Sequence, residues 1–300
     1  MATRITDLPV DEYVLSGNRA CAGCGIGIGL RAITKALEGK AVMTVPASCL
    51  TVLGGMYPSS SVELPWMNVV FPGTAAAATG LAAGLRATGR DDITVLAMAG
   101  DGGTSDIGIQ GLSGAAERNA DFIYVCYDNE AYMNTGTQRS GLTPRGARTT
   151  TTPKLGKTEN PKDLPRIMEA HGIPYVASTS VAFPADVYDK VVRARAIRGT
   201  RYIHMNTPCP SGWSFDPKDT VAIGKLAVDT GIVVLFEVEG GVFRLTGRSA
   251  SFAKSGKRKP VAEYIATQGR FRGMAAETVA AVQAWVDERW NGYVARDAGA

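Results

Sequence analysis

The chain alternates short apolar runs with amphipathic segments. Four β-rich apolar runs stop at glycine, proline or a polar cluster, as buried strands do: "AVMTVPA" from Ala41, "ITVLAMAG" from Ile93, "FIYVCYD" from Phe122 and "YIHMN" from Tyr202. Between and after them lie the helical patterns "GIGLRAITKAL", "GTAAAATGLAAGLRAT", "DIGIQGLSGAAER" and "PADVYDKVVRARAI". Strands that alternate with helices predict an α/β fold, in which a mostly parallel sheet is flanked by helices on both faces.

Two segments depart from this alternation. Residues 136–163 show little apolar periodicity, and a loop of that length inside a compact domain is usually functional or mobile. After about residue 216 the pattern changes to "GIVVLFEVEGGVFRLTG", which predicts a hairpin, followed by a basic loop and the helical "AAETVAAVQAWVDERW". We therefore expect a site-bearing α/β domain over residues 1–215. Residues 216–300 are expected to form a C-terminal extension that packs on the core or on a partner subunit.

Composition narrows the class of protein. The chain has 300 residues, of which 45% are hydrophobic, so it can bury a large core. Its first twenty residues lack the apolar run of a secretory signal, and its longest apolar stretch is far shorter than the ~20 residues that span a bilayer. We expect a soluble, cytoplasmic protein without membrane insertion. The net charge of +4 is small and the bases are mostly scattered, so nucleic-acid binding has little support.

An acidic turn follows one of the predicted strands. In "LAMAGDGGTSDIG" an apolar strand runs into Gly100, Asp101, Gly102 and Gly103. Glycines at the carboxyl end of a parallel strand let backbone N–H groups approach a phosphate, but an aspartate beside a diphosphate needs a magnesium ion between them. Asn129 ends the next predicted strand and offers a neutral oxygen. This register favours a magnesium diphosphate site over a turn in which the acid only caps a helix.

The cysteines fall at the same predicted sheet edge. Five is an odd number, and in a cytoplasmic chain cysteines are better candidates for metal or redox work than for disulfides. Cys21 and Cys24 precede a helix, while Cys49 and Cys209 each follow a strand. Four thiolates suit a [4Fe–4S] cluster and also zinc. One close pair joined by two isolated cysteines favours the cluster, and a thioredoxin-type dithiol would leave two of them without a role.

Two neighbouring features have plainer explanations. Cys126 lies within a predicted strand and is expected to be a small buried hydrophobe. The alternating Gly25, Gly27 and Gly29 do not form the GxGxxG of a nucleotide loop. We expect them to allow close helix packing or to present backbone N–H groups to cluster sulfurs.

These motifs together resemble one family. "CAGCG", the lone Cys49, "GDGGTSDIG", "YDNEAYMNTGTQRSG" and "TPCPSGW" resemble the beta subunit of the 2-oxoacid:ferredoxin oxidoreductases, of the pyruvate synthase type. The similarity extends from about Gly17 to "VAEYIATQGRF" near the C-terminus. "GDG" alone is shared by all thiamine enzymes, whereas the other motifs are specific to the family. The resemblance implies a thiamine diphosphate-binding fold, namely its diphosphate-binding domain.

The resemblance also implies roles for particular residues. One [4Fe–4S] cluster would be ligated by four cysteines, Cys21, Cys24, Cys49 and Cys209. Mg²⁺ would be held by Asp101, Asn129 and the carbonyl of Ala131, beside the diphosphate-binding Gly100, Gly102 and Gly103. Asn134 would face the reactive end of thiamine diphosphate as a cofactor-binding and catalytic residue. Asp128 stands where many thiamine enzymes carry a second asparagine, so its part as a ligand is open.

The implied activity is oxidative decarboxylation of a 2-oxoacid to acyl-CoA and CO₂, with coenzyme A as cosubstrate and ferredoxin or a similar acceptor taking the electrons. Pyruvate is the default substrate; aryl glyoxylate, oxalate, branched-chain and 2-oxoglutarate versions use the same cofactors. An alpha subunit would supply the pyrimidine-binding domain, and gamma and delta (ferredoxin-like) subunits would complete the enzyme. Two alternatives stay open: a non-redox thiamine decarboxylase or carboligase subunit, and a zinc-stabilised interaction subunit.

Overall fold

The computed structural model describes residues 3–299, so residues 1, 2 and 300, at the ends of the two expected units, lie outside the described part. Within this range the chain forms a single sheet of eight strands in the order β2-β1-β3-β4-β6-β5-β7-β8. The strands are β1 (Ala41–Pro46), β2 (Trp66–Val69), β3 (Thr94–Gly100), β4 (Phe122–Asp128), β5 (Tyr175–Ser180), β6 (Thr200–Asn206), β7 (Phe236–Glu239) and β8 (Val242–Leu245). The first six are parallel, and β7 and β8 pair antiparallel.

Helices cover the sheet on both sides. Over the described range they are α1 (Gly25–Ala36), α2 (Cys49–Gly54), α3 (Thr74–Ala87), α4 (Asp101–Ser105), α5 (Ile109–Glu117), α6 (Leu164–Glu169), α7 (Pro184–Arg195), α8 (Pro210–Trp213), α9 (Thr220–Thr230), α10 (Gly247–Ser255), α11 (Val261–Ala266) and α12 (Ala276–Ala298). None of these helices combines the length and the apolar character needed to cross a membrane.

Side-chain alternation along β3 shows how the two faces form. Leu96 and Met98 join a core beneath α1, α2 and α7, whereas Val95, Ala97 and Ala99 join a second core beneath α3, α5 and α6. Because both faces of a central parallel strand are buried, its sequence is apolar throughout rather than alternating. The predicted α/β fold with a mostly parallel, doubly covered sheet is confirmed.

Two strands are not predicted from the sequence. β2 lies at the edge of the sheet and is largely exposed, so it lacks an apolar run. β5 ends in Ser178, Thr179 and Ser180, which look polar but are buried. Their burial is possible because hydroxyl groups find partners there: Thr179 Oγ1 donates to Asp186 Oδ2 at 2.5 Å.

The predicted hairpin is present as β7 and β8, and it extends the sheet beyond β5. Phe236 and Phe243 from the two strands stack with Tyr293 of α12, with ring centroids 5.1 to 5.6 Å apart. The last helix therefore closes over the hairpin and joins the second core. A division of the chain at residue 215 stays a prediction.

The long segment over residues 129–163 contains no helix or strand, as its sequence pattern indicates. It is nevertheless anchored. The buried ammonium group of Lys157 donates to the carbonyls of Gly141 and Thr143 at 2.9 and 2.8 Å. Polar anchors of this kind replace the apolar contacts that hold regular elements, which is why periodicity does not reveal the order of the loop.

The hairpin can be tested by a core truncation. Phe243→Ala should lower the free energy of unfolding by about 3–5 kcal/mol, because it removes a buried ring and leaves a cavity beside α12. Val242→Ala is the matched control; Val242 is 45% exposed, so that change should cost no more than about 0.5 kcal/mol. Urea denaturation of the purified protein measures both. Equal, small changes would show that the hairpin does not belong to the core.

Candidate cofactor site

The site lies at the carboxyl ends of four strands that are consecutive in the sheet, β1, β3, β4 and β6. Cys49 begins the helix after β1, Asp101 begins the helix after β3, Asn129 directly follows β4, and Cys209 comes three residues after the end of β6. Because these strands are parallel, their ends share one edge of the sheet. Four residues that are far apart in sequence therefore lie in neighbouring loops.

Three oxygen atoms meet at the ends of β3 and β4. The amide oxygen of Asn129 lies 2.9 Å from Asp101 Oδ1 and 3.0 Å from the carbonyl oxygen of Ala131. Adjacent oxygen ligands of an octahedral Mg²⁺ at 2.0–2.1 Å are about 3 Å apart, so these two distances are compatible with this ion and equally with hydrogen bonds. Turning the amide over would let its nitrogen donate to both oxygens, which gives the same three groups a hydrogen-bonded arrangement without a cation.

The electrostatics of Asp101 also fit a cation. Its carboxyl group is fully buried, and burial raises its pKa well above the usual value, with the nearby Asp128 carboxylate adding to the rise. A hydrogen bond donated by Ser140 Oγ opposes this shift. A divalent cation beside the carboxyl group would favour its ionised form and reverse the shift.

Asp128, whose part as a ligand was open, is directed elsewhere. Its Oδ1 accepts a hydrogen bond from the backbone N–H of Glu130 at 2.9 Å, and its Oδ2 lies 3.0 Å from His204 Nε2. The ring of His204 is held in turn by Tyr202, whose hydroxyl lies 2.9 Å from Nδ1. Through these two contacts Asp128 helps to fix the conformation of the loop that carries the oxygen trio.

The oxygen trio borders a cavity of about 240 Å³. All the predicted cofactor-binding residues line it, together with Cys49, Phe71 and Tyr132: Gly100, Asp101, Gly102, Gly103, Asn129, Ala131 and Asn134. A Cβ atom on Gly102 would lie only 2.6 Å from the Tyr132 ring, so this position requires glycine for a close approach rather than for an unusual backbone angle.

The four predicted cluster ligands line a second cavity, of about 70 Å³. Cys49, Asn129 and Asn134 border both cavities. Over residues 3–299 no three His, Cys, Asp or Glu side chains are grouped closely enough to hold a single metal ion. Four sulfurs on one zinc ion would lie about 3.8 Å apart, whereas a four-iron cluster occupies the space between its cysteines. The four thiols border one cavity, which is compatible with a group larger than a single ion.

Backbone amides influence two of the thiols. The amides of Ile26 and Gly27, in the first turn of α1, lower the pKa of Cys24, and those of Ser211 and Gly212 lower that of Cys209, in each case against the larger effect of burial. Hydrogen bonds to the sulfurs are among the features that set the potential of an iron–sulfur cluster. The expectation of close helix packing is met at Gly29, where a Cβ would lie 2.6 Å from Met205, and the presentation of N–H groups to cluster sulfurs stays a prediction.

Burial disfavours ionisation of three of the cavity thiols, Cys24, Cys49 and Cys209. Burial raises the pKa of Cys24 to about 11 and that of Cys49 to about 12, and neighbouring cysteines contribute to both rises. Metal coordination removes the thiol proton, so assembly of a cluster here would release protons. Cys126, by contrast, is buried within β4 as predicted and does not border the cavities.

Sequence reasoning misses the residues that support the site. Ser140 comes from the loop without periodicity, and only the length of that loop signals a function. Trp213 lies in "TPCPSGW" and donates from Nε1 to the carbonyl of Asn129 at 2.8 Å. Arg270 lies in "VAEYIATQGRF" and pairs with Glu130 at 2.5 Å. Both motifs contribute to the family resemblance, but the roles of the Trp213 and Arg270 side chains depend on tertiary contacts that the sequence does not show.

Comparison with known proteins agrees with this geometry. The family of thiamine pyrophosphate enzymes, C-terminal TPP binding domain, matches residues 47–205, a span that holds the acidic turn and the end of β4. The solved 2-oxoglutarate:ferredoxin oxidoreductase from Magnetococcus marinus has a similar fold, with a TM-score of 0.57 and 23% identity over 71% of this chain and 79% of that chain. The fold and the cavity at its strand ends thus define a thiamine pyrophosphate-binding domain.

Relatives over nearly the whole chain define the family more closely. The pyruvate synthase subunit PorB of Methanothermobacter marburgensis is 48% identical over 284 residues, which cover 93% of this chain and 96% of that protein. The ketoisovalerate oxidoreductase subunit VorB of Pyrococcus horikoshii is 41% identical over 292 residues, covering 94% and 93%. The chain belongs to this family of 2-oxoacid:ferredoxin oxidoreductase subunits, which are parts of multi-subunit enzymes.

Gly102 gives a direct test of the cavity. Gly102→Ala should weaken thiamine diphosphate binding by about 5- to 150-fold, because the new methyl group forces the Tyr132 ring to move, at a cost of about 1–3 kcal/mol. Gly80→Ala, on an open face of α3 where a Cβ meets nothing within 4 Å, is the matched control and should leave affinity unchanged. Calorimetric titration of the apo complex measures both. Wild-type affinity in Gly102→Ala would place the cofactor elsewhere.

Proposed function

We propose that this chain is the beta subunit of a pyruvate:ferredoxin oxidoreductase that binds thiamine diphosphate with Mg²⁺ and carries one [4Fe–4S] cluster. One observation carries the proposal: the cavity beside the oxygen trio and the cavity among the four thiols share Cys49, Asn129 and Asn134 as walls. A non-redox thiamine subunit has no use for the thiols, and a zinc-stabilised interaction subunit has no use for the trio. An enzyme that joins both kinds of chemistry uses both.

The first task of the chain is to hold a diphosphate. Asp101, Asn129 and the carbonyl of Ala131 would supply three oxygen ligands to Mg²⁺, leaving its other positions for diphosphate oxygens and water. Backbone N–H groups at Gly102 and Gly103, in the first turn after β3, would approach the same phosphates. When bound, thiamine diphosphate supplies a carbon nucleophile for the 2-oxoacid and an electron sink for the decarboxylation.

The second task is to position groups where the cavities meet. Cys21, Cys24, Cys49 and Cys209 would ligate the cluster, which when bound accepts single electrons. Asn134 borders both cavities, which supports a role for its amide in orienting oxygen atoms of a bound 2-oxoacid. We assign it the catalytic role in this chain. The buried Tyr127 and the partly buried Met133 line the first cavity and would limit the access of water to it.

The remaining parts would come from other chains. We propose an alpha subunit that supplies the pyrimidine-binding domain and the carboxylate that activates the cofactor. Gamma and delta subunits, the latter ferredoxin-like, would carry electrons onward to ferredoxin, and coenzyme A would take the acyl group. The relatives' descriptions as subunits support this arrangement. Residues 216–300 would serve as an extension of the site-bearing unit, against the core or a partner.

Pyruvate is the proposed substrate. The PorB of Methanothermobacter marburgensis, at 48% identity, is more similar to this chain than the VorB of Pyrococcus horikoshii, at 41%. A hydrophobic pocket discriminates by only about 1–3 kcal/mol for each methyl group by which two substrates differ. We therefore expect the enzyme to prefer pyruvate over branched 2-oxoacids without excluding them. The ratio of kcat/KM for pyruvate over 3-methyl-2-oxobutanoate, measured on the complex, tests this assignment separately from the cofactor assignment.

The deciding experiment is anaerobic purification of the native complex, followed by quantitation of iron, acid-labile sulfide and thiamine in this chain and its partners. About four irons and four sulfides on this chain, with thiamine in the complex, would support the proposal. Zinc without sulfide would make the cysteines structural and favour a non-redox thiamine enzyme. Thiamine absent from the loaded complex would overturn the cofactor assignment.

Removal of one thiol tests the cluster ligands. Cys209→Ala should leave the chain folded but lower its iron to well below four per chain, because a [4Fe–4S] cluster needs four ligands. Cys126→Ala is the matched control, since Cys126 is buried within β4 outside the cavities, and it should keep full iron. Iron analysis and visible absorbance report both. Unchanged iron in Cys209→Ala would remove this residue from the ligand set.

Removal of the carboxylate tests the magnesium site. Asp101→Ala should weaken Mg²⁺-dependent binding of thiamine diphosphate by roughly 100-fold or more, since even outer partners of a metal ligand contribute about 10- to 100-fold. The iron content should stay at the wild-type level. Calorimetric titration with and without Mg²⁺ measures the effect, and Cys209→Ala should show the reverse pattern. Equal affinities for Asp101→Ala and wild type would exclude the proposed magnesium role.

A further inference from the structure

The segment "VAEYIATQGRF" has no part in the mechanism so far, although it lies against the site. It forms α11 and the turn that follows, and the Arg270 side chain is almost fully buried. The guanidinium group of Arg270 donates from Nε to Gln268 Oε1 at 2.9 Å and from Nη2 to the Tyr264 hydroxyl at 3.3 Å. Two residues of the same motif, Gln268 and Tyr264, thus orient the Arg270 guanidinium group.

Arg270 contacts the loop that carries the oxygen trio. Its Nη2 lies 2.5 Å from Glu130 Oε2, and Glu130 is the residue between Asn129 and Ala131. Glu130 has a φ of +68°, a left-handed backbone conformation that residues other than glycine rarely adopt. A strained residue persists where its surroundings hold it, and the buried Glu130 side chain is held against the Arg270 guanidinium group.

Arg270 also contacts the turn that carries Cys209. Its guanidinium carbon lies 3.9 Å from the ring centroid of Trp213, which ends α8, the short helix that starts directly after Cys209. The indole Nε1 of Trp213 donates to the carbonyl of Asn129 at 2.8 Å. The stacked pair therefore joins the trio loop and the Cys209 turn through one guanidinium group.

We propose that Arg270 is a positioning residue that sets the oxygen trio and the Cys209 thiol relative to each other, so that the two cofactor sites are coupled through the C-terminal part of the chain. The inference rests on the proposed function. Lysine could not replace Arg270, because only the planar guanidinium can stack on Trp213 while its edge serves Glu130 and Gln268.

The test uses the Arg270→Lys variant in the whole complex, loaded with cofactors. It should retain iron but bind thiamine diphosphate with Mg²⁺ about 10- to 100-fold more weakly, as expected for the loss of an outer partner of a metal site. The electron paramagnetic resonance spectrum of the reduced cluster should shift as well, because Cys209 moves. Calorimetric titration and spectroscopy give the two readouts, neither of which depends on turnover.

Arg258→Lys is the matched control. Arg258 also pairs with a carboxylate, Asp287 at 2.5 Å, and also stacks on a tryptophan, Trp290 at 4.9 Å, but these partners and the Thr230 carbonyl that it bonds lie outside the loop of the oxygen trio and the turn of Cys209. It should lose a similar amount of stability and change neither readout. The proposal is overturned when Arg270→Lys leaves either site unchanged, or when Arg258→Lys produces the same two changes.

A second variant tests the same coupling if the Arg270→Lys chain does not assemble into the complex. Trp213→Phe preserves an aromatic face for Arg270 but removes the N–H that reaches Asn129, so it should again shift both readouts; a shift in neither would overturn the coupling. Wild-type complex without a cluster or without thiamine would overturn the proposed function instead. Since the wild type is measured first, the two failures are distinguished.

Discussion

The whole arrangement depends on a carboxyl group that is buried where a negative charge is unfavourable. Asp101 lies at the end of a central strand, out of contact with water, beside a second carboxylate on Asp128. A charge in this position is stable only with a partner of opposite sign. The surrounding chain provides oxygen atoms, from Asn129 and Ala131, rather than a lysine or arginine. A cation beside Asp101 would stabilise its ionised form, and we propose that Mg²⁺ takes this place.

The parallel sheet explains how a second, chemically different site can lie alongside. β1, β3, β4 and β6 are consecutive neighbours, so the loops after them are spaced by single strand separations of about 5 Å. Thiols after the outer two strands and oxygen ligands after the inner two are therefore brought within a few side-chain lengths. The sulfur and oxygen atoms stay separate because they occupy different loops. Of the four cysteines, Cys49 alone borders both cavities.

The sequence predicts the elements whose information is local. Apolar runs identify the central strands, and the positions of Asp101 and Asn129 at strand ends follow from them. The convergence of the four cysteines follows in the same way. β5 escapes detection because its buried hydroxyl groups are satisfied by partners that only the fold supplies. Ser140 and Arg270 escape for the same reason, since each reaches the site from a distant segment. Long-range polar contacts leave no periodic trace in a sequence.

The C-terminal part of the chain is better understood as part of the site's support than as an addition to it. A third apolar cluster joins α9, α11 and α12 to Ala147 in the long loop and to Trp213 beside Cys209. This cluster buries the back of both loops that carry ligands. Loops with few regular hydrogen bonds are usually the least stable parts of a protein. Packing them between the sheet edge and a helical layer gives irregular backbone the rigidity that preorganised ligands require.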